Sequence, residues 1–278
     1  MTTAWLAARL GERDLRIVDG SYHSVAERRD IAEEFRANRI PGAVLFDVRT
    51  IRDHRNPAPL MLPAAAEFAV AVGAMGITNA DRVVVYDSGG MLNSGRVWWM
   101  FRTFGHRAIA VLDGGLPKWR AEGRPIDTAP PVAPRPAEFV ARLDPSQLRT
   151  LAEMRSIVSG GTAQVVDARD QGRFSGRLPE RRPGLRSGHM PGSFNLPWEA
   201  LEAADKRLQS PAELRAAFDS LGVDLGRPIV TTCGGGVAAG VLAIALERLG
   251  IRDWALYDGS WSEWAAQPDT PVETDPGT

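Results

Sequence analysis

Short runs of apolar residues, many of them β-branched, alternate along the chain with longer segments that have helical patterns. Arg82–Tyr86 and residues 228–231 are runs of the first kind and predict buried strands. Residues 237–249 are apolar on nearly every side, which predicts a helix buried against a sheet and ended by Gly250. Strands that alternate with helices indicate an α/β fold built on a mainly parallel sheet flanked by helices.

Another predicted helix has a clear start signal in the sequence. Ser210 can cap the helix, Pro211 suits its first position, and Glu213 stands three residues after the serine. This pattern predicts a helix that begins at Pro211 and runs to about Leu221.

Blocks of similar sequence occur twice in the chain, in the same order and at offsets of about 145 to 150 residues. In the clearest pair, residues 85–90 and 231–236, a strand runs into a turn that contains Asp87 in the first copy and Cys233 in the second. The other pairs are residues 17–19 and 165–167, 39–43 and 189–193, and 112–119 and 257–264. Four ordered pairs indicate two tandem copies of one α/β fold, each of about 120 to 140 residues.

The segment between the copies, residues 123–136, contains five prolines. Such a composition favours an extended, semi-stiff connection over a helix or a strand. The predicted organisation is an N-terminal domain at residues 1–125, a proline-rich linker at residues 126–141 and a C-terminal domain at residues 142–278.

The composition is that of a globular protein: 278 residues, 44% of them hydrophobic and 24% charged, with a formal net charge of −1. The near-neutral charge argues against nucleic acid and anionic membranes as partners, and no apolar run is long enough to cross a bilayer. The first residues lack the basic and apolar segments of a signal peptide, so a cytoplasmic location is expected. No cofactor or metal is expected, because the chain has no motif for either.

The chain contains one cysteine, Cys233, which excludes an intramolecular disulfide and a cysteine-based zinc site. It stands between a predicted strand and a predicted buried helix, where open α/β sheets bind ligands. The loop after it can turn backbone N–H groups towards the sulfur, and the positive end of the helix dipole adds to them. Both effects favour a thiolate, and equally a persulfide anion, on Cys233. The residues of this loop are Gly234, Gly235, Gly236, Val237 and Ala238.

The sequence of Cys233 and its loop resembles the active loop of the rhodanese superfamily of sulfurtransferases. Other similar segments, spread over almost the whole chain, are residues 40–43, 113–119, 172–174, 188–192 and 257–261. The resemblance implies two rhodanese-like domains, of which the first is catalytically inactive because Asp87 replaces the nucleophile. Phosphatase or arsenate chemistry would need an arginine six residues beyond the cysteine, where this chain has Ala239.

The resemblance also bears on the sulfur donor. Enzymes of the thiosulfate branch place basic residues directly after the cysteine, whereas those of the mercaptopyruvate branch have a neutral loop, as here. The latter hold the substrate's carboxylate and ketone oxygen with two arginines, which the resemblance matches to Arg173 and Arg182. Planar guanidinium groups suit bidentate recognition of a carboxylate. Arg177, Arg181 and Arg186 lie nearby and could substitute in this role.

The chain departs from the mercaptopyruvate branch at three positions. The loop serine of that branch is Gly235 here, the loop threonine is Ala238, and a first-domain histidine is Leu60. Asp47 matches the aspartate that assists this histidine and is a possible remnant of a serine–histidine–aspartate relay. The complete relay cannot operate, and its loss would slow general acid–base catalysis by about 10²–10⁴-fold.

The favoured function is transfer of a sulfane sulfur from 3-mercaptopyruvate, through a persulfide on Cys233, to cyanide or to a thiol acceptor such as thioredoxin. Two alternatives stay open. One is a thiosulfate:cyanide sulfurtransferase of the same fold, and the other is a carrier module that passes persulfide between proteins without efficient turnover.

Overall fold

The computed structural model describes residues 1–24 and 27–275, which form two compact units. Unit 1 consists of residues 1–54, 62–144 and 203–208. Unit 2 consists of residues 55–61, 145–202 and the residues from 209 onward. Each unit is therefore mostly one of the two sequence copies, together with a short segment from the other half of the chain.

Unit 1 is built on a parallel sheet with the strand order β2-β1-β3-β4. Its strands are β1 (Leu15–Asp19), β2 (Ala43–Leu45), β3 (Arg82–Tyr86) and β4 (Ile109–Val111). Its helices are α1 (Thr3–Ala7), α2 (Ile31–Ala37), α3 (Ala65–Ala74), α4 (Leu92–Thr103) and α5 (Gly115–Ala121). Strand β3 is buried on both faces from Val83 to Tyr86, which explains why its sequence is a continuous apolar run.

Unit 2 is built on a parallel sheet with the strand order β5-β9-β8-β6-β7. Its strands are β5 (Leu148–Arg149), β6 (Gln164–Asp167), β7 (Phe194–Asn195), β8 (Ile229–Thr232) and β9 (Trp254–Tyr257). Its helices are α6 (Leu151–Gly160), α7 (Gln171–Phe174), α8 (Pro211–Asp219), α9 (Ala239–Arg248) and α10 (Ser260–Trp264). The predicted α/β class, with parallel sheets flanked by helices, is confirmed in both units. No helix within residues 1–24 and 27–275 is long and apolar enough to cross a membrane.

The local sequence signals locate four of these elements, β3, β8, α8 and α9, to within two residues of their bounds. Strand β3 has the predicted bounds, and β8 begins and ends one residue later than predicted. At the start of α8, the Glu213 carboxylate accepts a hydrogen bond from the Ser210 N–H over 2.9 Å, and the Ser210 hydroxyl caps the N–H of Glu213. Helix α9 begins two residues later than predicted, because residues 233–238 form a turn.

The sequence repeat corresponds to a repeat of structure. Asp19 is the last residue of β1 and Asp167 the last residue of β6, and in each sheet that strand lies next to the strand that leads to the turn. Asp87 follows β3, and Cys233 follows β8. Equivalent residues can therefore be compared in two copies of one fold.

The proline-rich segment 126–141 carries no helix or strand and packs on unit 1. The N–H of Val140 donates to the Asn79 side chain over 2.8 Å, and the Asn79 amide donates back to the Val140 carbonyl over 2.9 Å. The buried ring of Phe139 packs edge-on against Phe68. The segment therefore forms neither a helix nor a strand, and it is held against unit 1 by these contacts. The domain bounds proposed from the sequence stay a prediction.

The equivalent aspartates at the ends of β1 and β6, Asp19 and Asp167, have different partners in the two units. In unit 2, Oδ2 of Asp167 accepts hydrogen bonds from Nε and Nη2 of Arg169 over 2.9 and 2.7 Å. In unit 1 the equivalent of that arginine is Ser21, which donates its N–H and its hydroxyl to Asp19. Asp19 is only 3% exposed, and because this burial disfavours the charged form, the pKa of Asp19 is raised to about 6.

We expect the Asp19→Asn variant to be more stable than the native chain at neutral pH, by about 3 kcal/mol at most. The folded carboxyl, with its pKa of about 6, binds its proton more tightly than the unfolded one, with its ordinary value of 3.8. The stability of the native chain therefore falls as the pH rises through this interval, and asparagine removes that loss. Thermal midpoints measured between about pH 4 and pH 8 test this, because the gain should vanish at the acid end.

The matched control is Asp167→Asn, which weakens an ion pair and should lower the midpoint at neutral pH. A lower thermal midpoint for both variants at neutral pH would contradict the raised pKa of Asp19.

Candidate active site

Cys233 is the first residue after β8, at the carboxyl end of the sheet of unit 2, and is 3% exposed. Its N–H donates to the hydroxyl of Ser260 over 3.3 Å, and its Sγ lies 4.0 Å from the same oxygen. Its carbonyl accepts a hydrogen bond from the N–H of Trp261 over 2.9 Å. The first turn of α10 therefore fixes the backbone of the cysteine and places a hydroxyl beside the sulfur.

Ser260 is fully buried and has a φ of 49°, in the left-handed region that side chains rarely adopt. The equivalent residue of unit 1 is Gly115, with a φ of 53°. A serine therefore occupies a conformation that suits glycine, and its hydroxyl donates to the carbonyl of Tyr257 over 2.8 Å and accepts from the N–H of Cys233. Such strain is typical of functional sites. Sequence reasoning missed Ser260, although the pairing of serine with glycine in the repeat was a usable signal.

The loop that joins Cys233 to α9 is held in a tight turn. Gly236 has a φ of 78°, which glycine adopts without strain. The carbonyl groups of Val237 and Ala238 accept hydrogen bonds from the N–H groups of Gly240 and Val241, each over 3.0 Å. The helix therefore begins directly at the loop, and its positive end lies there.

The equivalent turn of unit 1 shows what the backbone amides at this position can hold. The carboxylate of Asp87 is completely buried and accepts four hydrogen bonds from backbone N–H groups. The donors, at 2.7 to 2.9 Å, are the N–H groups of Gly89, Gly90, Asn93 and Ser94. The turn is therefore an anion-binding nest at the start of a helix. In unit 2 the repeat puts Gly235 and Gly236 at the first two donor positions, and Cys233 in place of the carboxylate.

Arg173, in α7, lies next to this loop. A Cβ atom added to Gly234 would be 3.4 Å from Nη1 of the arginine. Two carboxylates orient the guanidinium group: Nε donates to Asp170, the residue that caps α7, and Nη1 lies 3.7 Å from Oε2 of Glu180. The predicted substrate-binding arginine is thus positioned beside the cysteine loop by its neighbours.

Arg182 reaches the same loop although it is an exposed residue. A Cβ atom added to Gly235 would lie 3.8 Å from Nη2 of Arg182 and 3.7 Å from the hydroxyl oxygen of Ser262. Nη1 of Arg182 donates to that hydroxyl over 3.1 Å. Both arginines predicted to bind the substrate therefore lie beside neighbouring glycines of the loop.

A buried ionic network supports Arg173. The guanidinium group of Arg169 pairs with Asp167 and donates to Oε1 of Glu180 over 2.6 Å, and it lies 4.4 Å from the centre of the Trp261 ring. Burial alone would lower the pKa of Arg169, but the two carboxylates hold it above its ordinary value. Glu180 contacts Arg169 and Arg173 and so connects the network to the site. Sequence reasoning identified neither Arg169 nor Glu180.

Two of the other arginines in this segment have structural partners. Arg186 donates to the backbone carbonyl of Ala265 over 3.1 Å and to that of Thr270 over 2.7 Å, and so holds the chain after α10. Nε of Arg177 donates to the hydroxyl of Ser175 over 3.0 Å. The suggestion that Arg186 could replace a substrate-binding arginine is therefore not supported, because its guanidinium group is taken up by carbonyl oxygens.

Asp47 and Leu60, which the sequence connected with a lost relay, lie in different units. Asp47 is in unit 1, where its carboxylate pairs with Nε and Nη2 of Arg49 at 3.2 and 3.3 Å. Leu60 is a buried residue of unit 2 with a φ of 56°, and the adjacent Pro59 lies against the loop, 3.5 Å from the position of a Cβ on Gly235. A role for Asp47 in catalysis stays a prediction.

Comparison with known proteins gives consistent matches over nearly the whole chain. A family profile described as "Rhodanese-like domain" matches residues 2–122 and 150–267. The chain is 38% identical, over 97% of its length, to the 3-mercaptopyruvate sulfurtransferase of Escherichia coli (strain K12), of which 95% is covered. It is 43% identical, over 98% of its length, to the thiosulfate sulfurtransferase of Cricetulus griseus, of which 94% is covered.

A third relative, from Arabidopsis thaliana, is named for both donors and for mitochondria, "Thiosulfate/3-mercaptopyruvate sulfurtransferase 1, mitochondrial". It is 40% identical over 97% of this chain and is covered over 76% of its own length. Relatives of similar identity are thus named for different donors, so similarity alone does not choose between them.

Solved structures match equally well. The crystal structure of SseA from Escherichia coli, described with the 3-mercaptopyruvate sulfotransferases, superposes with a TM-score of 0.87 and 36% identity, covering 95% of this chain and 98% of that one. The Tum1 protein of Saccharomyces cerevisiae superposes with a TM-score of 0.91 and 28% identity, covering 99% and 98%.

Proposed function

The chain belongs to the rhodanese family and is a sulfurtransferase of the 3-mercaptopyruvate and thiosulfate type, and we propose that its donor is 3-mercaptopyruvate. The sulfur is carried as a persulfide on Cys233, the only cysteine of the chain, and passes from there to cyanide or a thiol. Unit 1, with Asp87 in the place of the nucleophile, takes no part in the covalent chemistry.

The position of two guanidinium groups supports this choice of donor. Arg173 and Arg182 lie 3.4 and 3.8 Å from the Cβ positions of Gly234 and Gly235, the two residues that follow Cys233. 3-Mercaptopyruvate carries a carboxylate and a ketone oxygen close to its thiol, and planar guanidinium groups bind such oxygens with paired N–H groups. A donor held in this way presents its sulfur to the cysteine.

The first half-reaction moves one sulfur atom from carbon to sulfur. The Cys233 thiolate attacks the thiol sulfur of the donor, an S–S bond forms, and the C–S bond breaks. Its electron pair moves to carbon as the enolate of pyruvate, which takes up through water the proton that the donor's thiol loses, so that the outer sulfur of the persulfide is left as an anion. The arginines stabilise this reaction because negative charge develops on the ketone oxygen that they bind.

The second half-reaction restores the cysteine. The thiolate of an acceptor, or cyanide, attacks the outer sulfur of the persulfide, and the S–S bond breaks with its electron pair returning to Cys233. Between the two steps the outer sulfur is an anion, and the loop amides are the donors proposed to hold it. The four N–H groups around the Asp87 carboxylate in the equivalent turn support this assignment.

The same two arginines also favour a second candidate donor. Thiosulfate is a dianion, and two cationic groups beside the loop would attract it although the loop itself is neutral. Steady-state assays with cyanide as the acceptor separate the candidates. We expect kcat/KM for 3-mercaptopyruvate to exceed that for thiosulfate by about tenfold or more. A clear preference for thiosulfate would overturn the choice.

The Arg182→Gln variant should raise KM for 3-mercaptopyruvate about 10- to 100-fold, because a charge-assisted hydrogen bond to the carboxylate is lost. Arg181→Gln is the comparison variant, since Arg181 is the adjacent exposed arginine. If Arg181 binds the substrate instead, its variant and not Arg182→Gln will show the increase. Equal KM values for both variants and the native chain would remove Arg182 from the mechanism.

We propose thioredoxin or a similar small thiol protein as acceptor and the cytoplasm as location. The alternative of a persulfide carrier is tested by intact-mass measurement after treatment with donor. An added sulfur atom on Cys233 that small thiols remove rapidly favours the enzyme, whereas one that persists favours the carrier.

A further inference from the structure

Ser262 lies at the centre of a chain of hydrogen bonds beside the loop that joins Cys233 to α9. Neither the proposed reaction nor the sequence pattern assigns a role to this serine. It is a residue of α10 and is 7% exposed. Its N–H donates to the carbonyl of Gly234 over 3.0 Å, and its hydroxyl donates to the same carbonyl. The hydroxyl oxygen in turn accepts a hydrogen bond from Nη1 of Arg182 over 3.1 Å. The hydroxyl therefore has one donor and one acceptor partner, in a fixed direction.

Two donors from one residue fix the orientation of the Gly234 carbonyl. In a trans peptide the carbonyl and the next N–H point in opposite directions, so the Gly235 N–H is fixed at the same time. The equivalent N–H in unit 1, that of Gly89, donates to the Asp87 carboxylate over 2.7 Å. The peptide that Ser262 holds is therefore the one whose counterpart binds the anion in the other copy.

Comparison of the two units separates this contact from the requirements of the fold. The N–H of Trp261 donates to the carbonyl of Cys233, and its counterpart, the N–H of Leu116, donates to the carbonyl of Asp87 over 3.0 Å. This bond is common to both copies. The next residue is Ser262 in unit 2 but Pro117 in unit 1, and proline has neither an N–H nor a hydroxyl to donate. The second contact to the turn is thus specific to the copy that contains the cysteine.

We propose that Ser262 is a positioning residue that couples substrate anchoring to the sulfur loop, a role that rests on the proposed function of Arg182. Its hydroxyl orients the guanidinium group towards the donor's carboxylate and, through Gly234, sets the amide of Gly235. The binding of the donor's carboxylate and the orientation of the Gly235 N–H thereby both depend on the side chain of Ser262.

Alkylation of Cys233 tests the proposal without any sulfur donor. Bromopyruvate and bromoacetone react with thiolates at the same carbon and differ in having a carboxylate or a methyl group on the ketone. The rate of alkylation by bromopyruvate divided by the rate with bromoacetone therefore measures how strongly a carboxylate is bound beside Cys233. We expect Ser262→Ala to lower this ratio about tenfold, and Ser262→Thr, which keeps the hydroxyl, to stay within about threefold of the native value.

A double-mutant cycle decides whether Ser262 acts through Arg182. If it does, the ratio for the double variant of Ser262→Ala and Arg182→Gln equals that for Arg182→Gln alone. Two results would overturn the coupling but leave the proposed function intact. In the first, the effects of the two substitutions on the ratio multiply in the double variant. In the second, Arg182→Gln lowers the ratio and Ser262→Ala leaves it unchanged. A ratio unaffected by Arg182→Gln removes Arg182 as the anchor of the carboxylate, and with it the coupling proposed for Ser262.

Discussion

The Cys233→Ser chain is expected to transfer sulfur at least about 10³-fold more slowly than the native chain, with either donor. The protein has no second thiol, and a serine hydroxyl cannot carry a sulfane sulfur. The fold should tolerate the change, because serine has nearly the same shape and the contact of Sγ with Ser260, at 4.0 Å, is a weak one. The assay is donor-dependent formation of thiocyanate from cyanide.

Mass spectrometry provides the complementary measurement. The native chain should gain the mass of one sulfur atom when donor is added without acceptor, and the Cys233→Ser chain should gain none. Equal thermal midpoints for the two chains would show that the loss is chemical. Turnover above about one hundredth of the native rate in the serine chain would place the sulfur on another group and end the persulfide mechanism.

The Asp87→Ala chain is expected to lose about 3 to 5 kcal/mol of the free energy of unfolding of unit 1. The carboxylate is completely buried and accepts four backbone hydrogen bonds, so its removal leaves four N–H groups without their acceptor. Asp87→Asn is the matched variant. It keeps one oxygen but turns an NH₂ group towards two of the donors, and should lose about half as much.

Hydrogen exchange of the peptide that spans residues 87–94 locates this effect. Exchange there should accelerate strongly in Asp87→Ala, while the rate of sulfur transfer per folded molecule is unchanged because Cys233, Arg173 and Arg182 all belong to unit 2. A loss of stability below about 1 kcal/mol would show that water replaces the carboxylate, and would weaken the case for the equivalent amides around the sulfur.

Much of the fold could be predicted because its signals are local. The apolar run of β3, the capping box of α8 and the glycine-rich turn after β8 each depend on residues within a few positions of one another. The duplication was also visible in the sequence, because the turn residues and the tryptophans recur at nearly constant spacing. Cys233 itself followed from its position between a strand and a helix.

The contacts that complete the site could not be predicted in the same way. Ser262 meets Gly234 and Arg182 across 28 and 80 residues of sequence, and no periodicity connects positions so far apart. Arg173 and Arg182 were found only through family resemblance, since their own surroundings look like a solvated, arginine-rich segment. Arg186 belongs to the same segment, yet it binds backbone carbonyls up to 84 residues away.

The presence of Asp87 in the first copy, at the position of Cys233 in the second, limits the number of sulfur atoms that one chain can carry. In the proposed mechanism each chain carries one sulfur atom, because the corresponding position in the duplicate is filled by the carboxylate of Asp87. A chain that carries a persulfide must transfer its outer sulfur to an acceptor before it can react with another donor molecule, so donor and acceptor react alternately. Plots of reciprocal rate against reciprocal donor concentration, at several acceptor concentrations, should then be parallel lines.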